Sequence, residues 1–264
     1  MNQKGNLFRR LLYKYLPLEA YLNVLSKMYF LSFNLGLLKG NRYYDYPIFL
    51  NKIVKQGDVC IDIGANLGYL TVVLSKLAGV KGKVYAVEPV KPVLSALKKN
   101  TKHLKNVEVL PFALGDDNKL IQLGNNSIKN SGYLGSGSHF VLEKDADAEI
   151  VFEAEMRKGS ELFGHLNKID FVKCDIEGYE MVVIPEMEQI INKFKPILLI
   201  ESLKEKRKQM LAFFKERNYN GYILNNKEIL YPAKEDEHWD MFFIHNDKMK
   251  VVEKYLTDTN SDKI

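Results

Sequence analysis

The segment VCIDIGANLGYLT, residues 59–71, places a short apolar run directly before a glycine-containing turn. The run predicts a buried strand over residues 59–63, and the turn predicts a helix that begins at Gly68. Glycine permits positive φ and lets a ligand lie against bare backbone, and the first N–H groups of the helix face the crevice at the strand ends. We therefore predict that a nucleotide-containing ligand is held by Asp62, Gly64, Asn66 and Gly68.

From Asp58 onward, short β-rich runs alternate with stretches of helical periodicity, which indicates a parallel sheet covered on both faces. We expect an α/β fold with a doubly wound, mostly parallel seven-stranded sheet, preceded by N-terminal helices. The predicted parallel strands are 59–63, 83–87, 107–112, 171–174 and 196–200, and 222–224 and 241–245 can pair as a terminal hairpin. Additional strands are predicted over 119–123, a short extra strand, and 149–156. The predicted helices are 68–77, 92–104, 160–166, 179–192 and 204–217, and segment 124–148, rich in Gly, Ser and Asn, is predicted to be a loop.

The bulk composition predicts one sizeable domain, since the chain has 264 residues and is 46% hydrophobic. We predict an N-terminal helical extension over 1–50, the α/β domain over 51–256 and a polar tail over 257–264. Both cysteines, Cys60 and Cys174, fall in predicted buried strands, so a disulfide framework is not expected and a reducing cytoplasm fits best. A net charge of +5 neither demands nor excludes an anionic partner.

The N-terminal extension is apolar but interrupted by polar residues. Glu19 and Lys27 fall inside the apolar stretch 16–38, which therefore predicts an amphipathic helical region and not a membrane span. No signal-peptide pattern is visible, so secretion is not expected. Basic residues beside apolar ones in the first 14 positions leave two readings open: a helix that packs on the α/β domain, or one that contacts an anionic membrane surface.

A second carboxylate narrows the choice of ligand. Glu88 ends the second predicted strand, twenty residues after Gly68, where it can accept both hydroxyls of a ribose. Asn66 stands where dinucleotide sites carry a second glycine, which reduces the room for a pyrophosphate. Asp62 suits an ammonium group and repels phosphate. We therefore predict S-adenosyl-L-methionine (SAM), which carries an ammonium group, a sulfonium and no phosphate, in preference to a nicotinamide dinucleotide.

Five segments together resemble the FkbM family of methyltransferases: VCIDIGANLGYLT, VYAVEP, PFALGD, FVKCDIEGYE and PILLIES, in this order over about Val54 to Ser202. The resemblance implies a class I, SAM-dependent enzyme that methylates hydroxyls, commonly on sugars and secondary metabolites. It also implies that Asp62, Gly64, Asn66, Gly68, Tyr69 and Thr71 line the methionine end of SAM, that Glu88 holds the ribose and that Ala113 covers the adenine. Cys174 departs from the usual apolar residue, and about 50 N-terminal residues lie outside the resemblance.

Methyl transfer to a hydroxyl requires a group that takes the acceptor's proton. Asp175 and Glu177 follow the predicted strand 171–174, and we predict that Asp175 faces the cofactor while Glu177 or His139 serves the acceptor. Glu180 can be explained without a catalytic role, because acidic residues are favoured at the start of a helix. His139 can likewise be an exposed loop histidine without a role. Asp175, Glu177 and Glu201 could also gather a divalent metal, but no spacing rule selects this and no metal is predicted.

The acceptor is not specified by any motif, so other functions stay open. We expect a small-molecule or saccharide acceptor and no DNA. The alternatives are a methyltransferase for RNA ribose hydroxyls, although no RNA-binding platform stands out, and a SAM-fold binding protein without catalysis. An NAD oxidoreductase ranks last.

Overall fold

The computed structural model describes residues 3–38, 42–143, 146–201, 204–225, 229–234 and 240–257. The helices are α1 Gln3–Tyr15, α2 Leu18–Asn34, α3 Arg42–Ile53, α4 Tyr69–Ala78, α5 Lys91–Thr101, α6 Ser127–Ser131, α7 Gly159–Phe163, α8 Glu180–Glu186, α9 Glu188–Phe194, α10 Lys204–Lys215 and α11 Met249–Val252. The strands are β1 Val59–Ile63, β2 Lys83–Val87, β3 Val107–Leu110, β4 Ala113–Gly115, β5 Lys119–Asn125, β6 His139–Val141, β7 Ile150–Lys158, β8 Phe171–Cys174, β9 Ile197–Ile200, β10 Tyr219–Asn225, β11 Ile229–Pro232 and β12 Met241–His245.

The main sheet has the order β11-β10-β12-β9-β8-β1-β2-β3. Strands β3, β2, β1, β8 and β9 run parallel, and β12, β10 and β11 are antiparallel additions at one side. The predicted α/β fold is confirmed, but the sheet has eight strands and not seven, because β11 adds to the edge of β10. The predicted pairing of the two C-terminal segments is present between β10 and β12.

A second sheet, of order β4-β7-β5-β6, stands beside the main one. The prediction of a plain loop over 124–148 was wrong. This segment contains the end of β5, the short helix α6 and strand β6, which pairs with β5 so that His139 lies opposite Asn125. Residues 139–141 pair with β5 in the second sheet, although the composition of this Gly- and Ser-rich segment gives little sign of a strand.

Hydrophobic residues of β1 alternate between the two faces of the main sheet. Cys60 packs with Leu74 and Ala78 of α4, while Ile61 and Ile63 pack on the other face with α8, α9 and α10. Both cysteines are buried and free. The predicted helix over 179–192 is divided at Met187 into α8 and α9, because Pro185 has no N–H to donate to the preceding turn.

The N-terminal helices pack on the α/β domain. Tyr21 and Leu22 of α2 are fully buried against α5 and the second sheet, and α3 spans the predicted boundary at residue 50. The amphipathic region predicted over 16–38 contains α2. Within the described ranges, we find no helix with the length and apolarity needed to span a bilayer. The predicted polar tail lies outside the described residues from position 258 onward.

Candidate active site

A cavity of about 260 Å³ opens at the carboxyl ends of β1, β2, β8 and β9. The second sheet and the segment before β6 form its opposite wall. The polar groups that line it come from Gly64, Asn66, Glu88, Ser136, Gly137, His139, Asp175, Glu177, Glu201 and Asp240, and its apolar wall includes Val87, Phe112, Ala113, Leu114, Leu123 and Val141. This is the edge at which open α/β sheets bind their ligands.

The turn after β1 brings bare backbone to the floor of the cavity. Gly64, Asn66 and Gly68 all adopt positive φ, of 74°, 51° and 89°. A Cβ atom on Gly64 would overlap the carbonyl oxygen of Asp175, so the ends of β1 and β8 approach too closely for any side chain there.

Lys173 connects the acidic groups on these two strand ends. Its ammonium group donates to the carbonyl oxygen of Gly64 at 2.8 Å and lies 3.8 Å from Asp62 and 3.3 Å from Asp175. Burial works against its charge, but the carboxylates of Asp175 and Asp62 outweigh this effect and raise the pKa of Lys173 above its ordinary value. The lysine is therefore charged near neutral pH.

Asp62 lies behind the wall of the cavity and not on its surface. It is fully buried, and one of its oxygens accepts a hydrogen bond of 2.6 Å from the hydroxyl of Thr71. Its other oxygen faces Lys173. From the sequence, we expected the ammonium group of a ligand to pair with Asp62. In the structure, the ammonium group of Lys173 takes that place.

Glu88 stands at the end of β2 with its carboxylate held in place. One oxygen accepts the N–H of Asn66 and the other the N–H of Val90, both at 3.0 Å. Each oxygen keeps a further lone pair for a ligand hydroxyl. Burial raises the pKa of Glu88 to about 7, so the group is poised between its acid and carboxylate forms near neutral pH.

Asp175 and Glu201 form a pair that shares one proton. Burial would raise the pKa of Asp175, but Lys173 outweighs this and holds it below its ordinary value. Burial and the adjacent Asp175 charge raise the pKa of Glu201 to about 9, and the two side chains are hydrogen-bonded. Near neutral pH, Glu201 therefore carries the proton and donates it to the Asp175 carboxylate.

Glu177 is an exposed carboxyl group at the rim of the cavity. Its backbone adopts a φ of 55°, next to Gly178 at 95°, which turns the chain sharply after β8. Partial desolvation, together with the charges of Asp175 and Glu180, raises its pKa to about 7. Carboxylate oxygens of Glu177, Asp175 and Glu201 lie within 4.8 Å of one another, a spacing compatible with a divalent cation.

His139 lies on β6 and faces the cavity, so it is not the exposed loop histidine that one reading allowed. Its Nδ1 is 3.1 Å from the carbonyl oxygen of Ser136, and burial lowers its pKa to about 4. The ring is neutral near pH 7. With Nδ1–H donating to Ser136, the Nε2 atom keeps its lone pair, and it has no partner within the described part of the chain.

Of the other predicted site residues, some line the cavity and others contact the elements around it. Ala113 lines the cavity, whereas Gly68, Tyr69 and Thr71 are not among its lining residues. Tyr69 turns away and stacks on Tyr29 of α2, with ring centroids 3.7 Å apart.

Glu180 supports the turn after β8, because it accepts the N–H groups of Ile176 and Gly178. From the sequence, Lys173 was expected only to pair with a neighbouring acid, and the structure shows this pairing with Asp62 and Asp175. Glu201 was considered only as a metal ligand. The signal for Lys173 was its place two residues before Asp175, on a strand that neighbours the one bearing Asp62.

Comparisons with known proteins place the cavity within a recognised domain. A family model described as "Methyltransferase FkbM domain" matches residues 62–221. A curated relative, protein-L-isoaspartate O-methyltransferase from Methanosarcina mazei, is 44% identical over 57 residues, which cover 21% of this chain and 24% of that relative. The chain thus matches about a quarter of that relative's length.

Two solved methyltransferase structures align with this chain at low identity. Methyltransferase FkbM from Methylobacillus flagellatus KT is 15% identical, with a TM-score of 0.46, over 71% of this chain and 43% of that chain. Aeropyrum pernix fibrillarin, in complex with SAM, is 14% identical, with a TM-score of 0.42, over 73% of this chain and 68% of that one.

The close approach at Gly64 can be tested against a second glycine of similar backbone. Gly57 has a φ of 89°, and a Cβ atom added to it would have nothing within 4 Å, so Gly57→Ala should cost only the backbone strain, about 1–2 kcal/mol. Gly64→Ala should suffer the same backbone strain and, in addition, the overlap of the new Cβ atom with the carbonyl oxygen of Asp175. It should therefore lower the free energy of unfolding by at least about 2 kcal/mol more than Gly57→Ala does, as measured by urea denaturation. Equal losses in the two variants would show that the strand ends are not in contact.

Proposed function

This chain belongs to the FkbM methyltransferase family, and we propose that it transfers a methyl group from SAM to a hydroxyl of a saccharide or secondary metabolite. The observation that carries the proposal is the acidic cluster of Asp175, Glu177 and Glu201 at the mouth of the cavity. A hydroxyl acceptor must lose a proton, and this cluster offers carboxyl groups in different protonation states within one site.

The residues around the cavity fit SAM. The turn from Gly64 to Gly68 offers bare backbone, and the oriented Glu88 carboxylate suits the ribose hydroxyls. The side-chain oxygen of Asn66 is buried, with no hydrogen-bond partner within the described ranges, and it is available to a donor on the ligand. Phe112, Ala113 and Leu114 supply apolar surface for the adenine.

The protein's contribution is to position groups and to manage one proton. Bound SAM supplies a methyl group activated by its sulfonium. The carboxylate of Asp175 faces the cavity and is kept ionised by Lys173, so it favours a cationic ligand. Asp62 and Thr71 act through Lys173 and the turn, and we assign them positioning roles.

We assign the general base to Glu177. With a pKa of about 7 it can both take and release a proton near neutral pH, and its place at the rim gives the proton a path to solvent. His139 is the alternative base, since its Nε2 lone pair faces the same cavity. With a pKa of about 4, however, it holds a proton only weakly.

We place the reaction in the cytoplasm. Cys60 and Cys174 are buried, free thiols, which suits a reducing compartment. Burial raises the pKa of both thiols, so neither is activated as a nucleophile.

Transfer of a tritiated methyl group from SAM tests the function. The purified chain would be incubated with labelled SAM and the small-molecule fraction of its host, and separately with RNA from the host. We expect label in the small-molecule fraction that survives mild alkali, because methyl ethers resist hydroxide whereas carboxyl methyl esters release methanol. Label in RNA, alkali-labile label, or SAM binding without transfer to either fraction would each contradict the proposal.

The pH profile of this transfer separates the two candidate bases. SAM is kept saturating at every pH, so that protonation of Glu88 does not limit the rate. If Glu177 is the base, it must be unprotonated, so the rate should rise about tenfold per pH unit below about 7 and level off above it. His139, with a pKa of about 4, would already be unprotonated and would give a flat profile over this range.

We expect Glu177→Gln to lose at least about 100-fold in rate with SAM binding retained, while His139→Gln keeps the rise near pH 7. The reverse pattern would assign the base to His139.

A further inference from the structure

We propose that α1 and α2 dock this protein onto an anionic membrane surface. The inference concerns a part of the chain outside the matched residues 62–221, and it is independent of the methyl acceptor.

An apolar stripe on α1 faces solvent. Leu7, Leu11 and Tyr15 follow one another at four-residue spacing, with Phe8 beside them, and Leu7 is 61% and Tyr15 71% exposed. The opposite side of the same helix, which carries Leu12 and Tyr13, packs on the domain. The helix therefore packs on the domain without using the stripe.

Exposed apolar side chains also lie along α2. Met28 and Leu31 in its C-terminal half and Leu35, directly after its last residue, recur at helical spacing, and Leu31 is 61% exposed. Among the described residues, twelve large apolar side chains are exposed, and eight of them lie between positions 7 and 37. Such a concentration on one tenth of a chain is typical of a surface that meets another apolar phase.

Positive charge accompanies this surface. The first 38 residues contain five basic residues and one acidic residue, a net of +4 out of +5 for the whole chain. Lys14 and Lys27 are exposed beside the two stripes. A groove between α2 and α4 is lined by aromatic side chains, including those of Tyr29 and Phe33, and by Lys76.

The positive charge of this surface favours an anionic membrane over a second copy of the chain as its binding partner. Two copies that met through this face would bring the same basic residues together, which is unfavourable. An anionic bilayer supplies both the apolar layer for the stripes and the negative charge for the lysines.

The docking helices also hold one wall of the cavity. Arg10 of α1 donates to the carbonyl oxygen of Ser131 at 2.6 Å, and the hydroxyl of Tyr21 donates to that of Leu134 at 3.2 Å. The segment they hold leads directly into Ser136 and His139, which line the cavity. A membrane bound by α1 and α2 would therefore adjoin the wall of the cavity that β6 provides.

Co-sedimentation with vesicles tests this surface. The full chain should pellet with vesicles of phosphatidylcholine and phosphatidylglycerol, and only weakly with phosphatidylcholine alone. Lys14→Gln with Lys27→Gln should weaken binding to the mixed vesicles about fivefold per charge removed. Leu7→Gln with Leu11→Gln should weaken it at least about tenfold. The matched control, Val80→Gln with Leu120→Gln, replaces exposed apolar residues elsewhere and should bind as the wild type does.

Several outcomes would overturn the inference. These are no pelleting with mixed vesicles, equal pelleting with both vesicle types, or equal losses in the leucine variant and its control. A wild-type dimer that the leucine variant converts to a monomer, with no vesicle binding, would identify the face as a contact between copies. If the leucine variant unfolds, the lysine variant decides, because Lys14 and Lys27 are exposed and outside the core.

Discussion

The ammonium group of Lys173 joins the carboxyl ends of β1 and β8, and the shape of the cavity depends on this contact. It donates a hydrogen bond to the Gly64 carbonyl oxygen and lies between the carboxylates of Asp62 and Asp175. Its positive charge offsets the repulsion between these two carboxylates at the ends of neighbouring strands. Without that charge, the carboxylates of Asp62 and Asp175 would repel each other where the ends of β1 and β8 meet. The absence of a side chain at Gly64 is the steric counterpart of the same contact.

The fixed charges divide the cavity into two regions with different chemistry. On the β2 side, Glu88 is oriented by two backbone N–H groups and surrounded by apolar wall, which suits recognition of a nucleoside. On the β9 side, Asp175 and Glu201 share a proton while Glu177 stands at the rim. A methyl donor held on the first side would present its reactive group to the second, where protons can move.

The sequence predicted the central strands to the residue, because β1, β2 and β8 are apolar runs bounded by clear turns. It predicted Glu88 and Asp175 at strand ends for the same reason. Strand β6 was missed because hydrogen bonding to β5 creates it, in a segment without strand composition. Local pattern could not show that Tyr69 faces α2. The pairing of Lys173 with Asp62, where the ammonium group of a ligand was expected, appears only once β1 and β8 are placed side by side. Both depend on neighbours more than 35 residues away in the chain.

The central claim is that Glu88, as a carboxylate, binds the ribose of SAM in this cavity, and calorimetric titration of SAM tests it most directly. For the wild-type chain, we predict binding that weakens about tenfold per pH unit below about 7, as Glu88 becomes protonated. Glu88→Gln should bind SAM at least about tenfold more weakly at pH 8, without that pH dependence. If Glu88→Gln bound SAM with wild-type affinity at pH 8, the cofactor site described here would be in the wrong place.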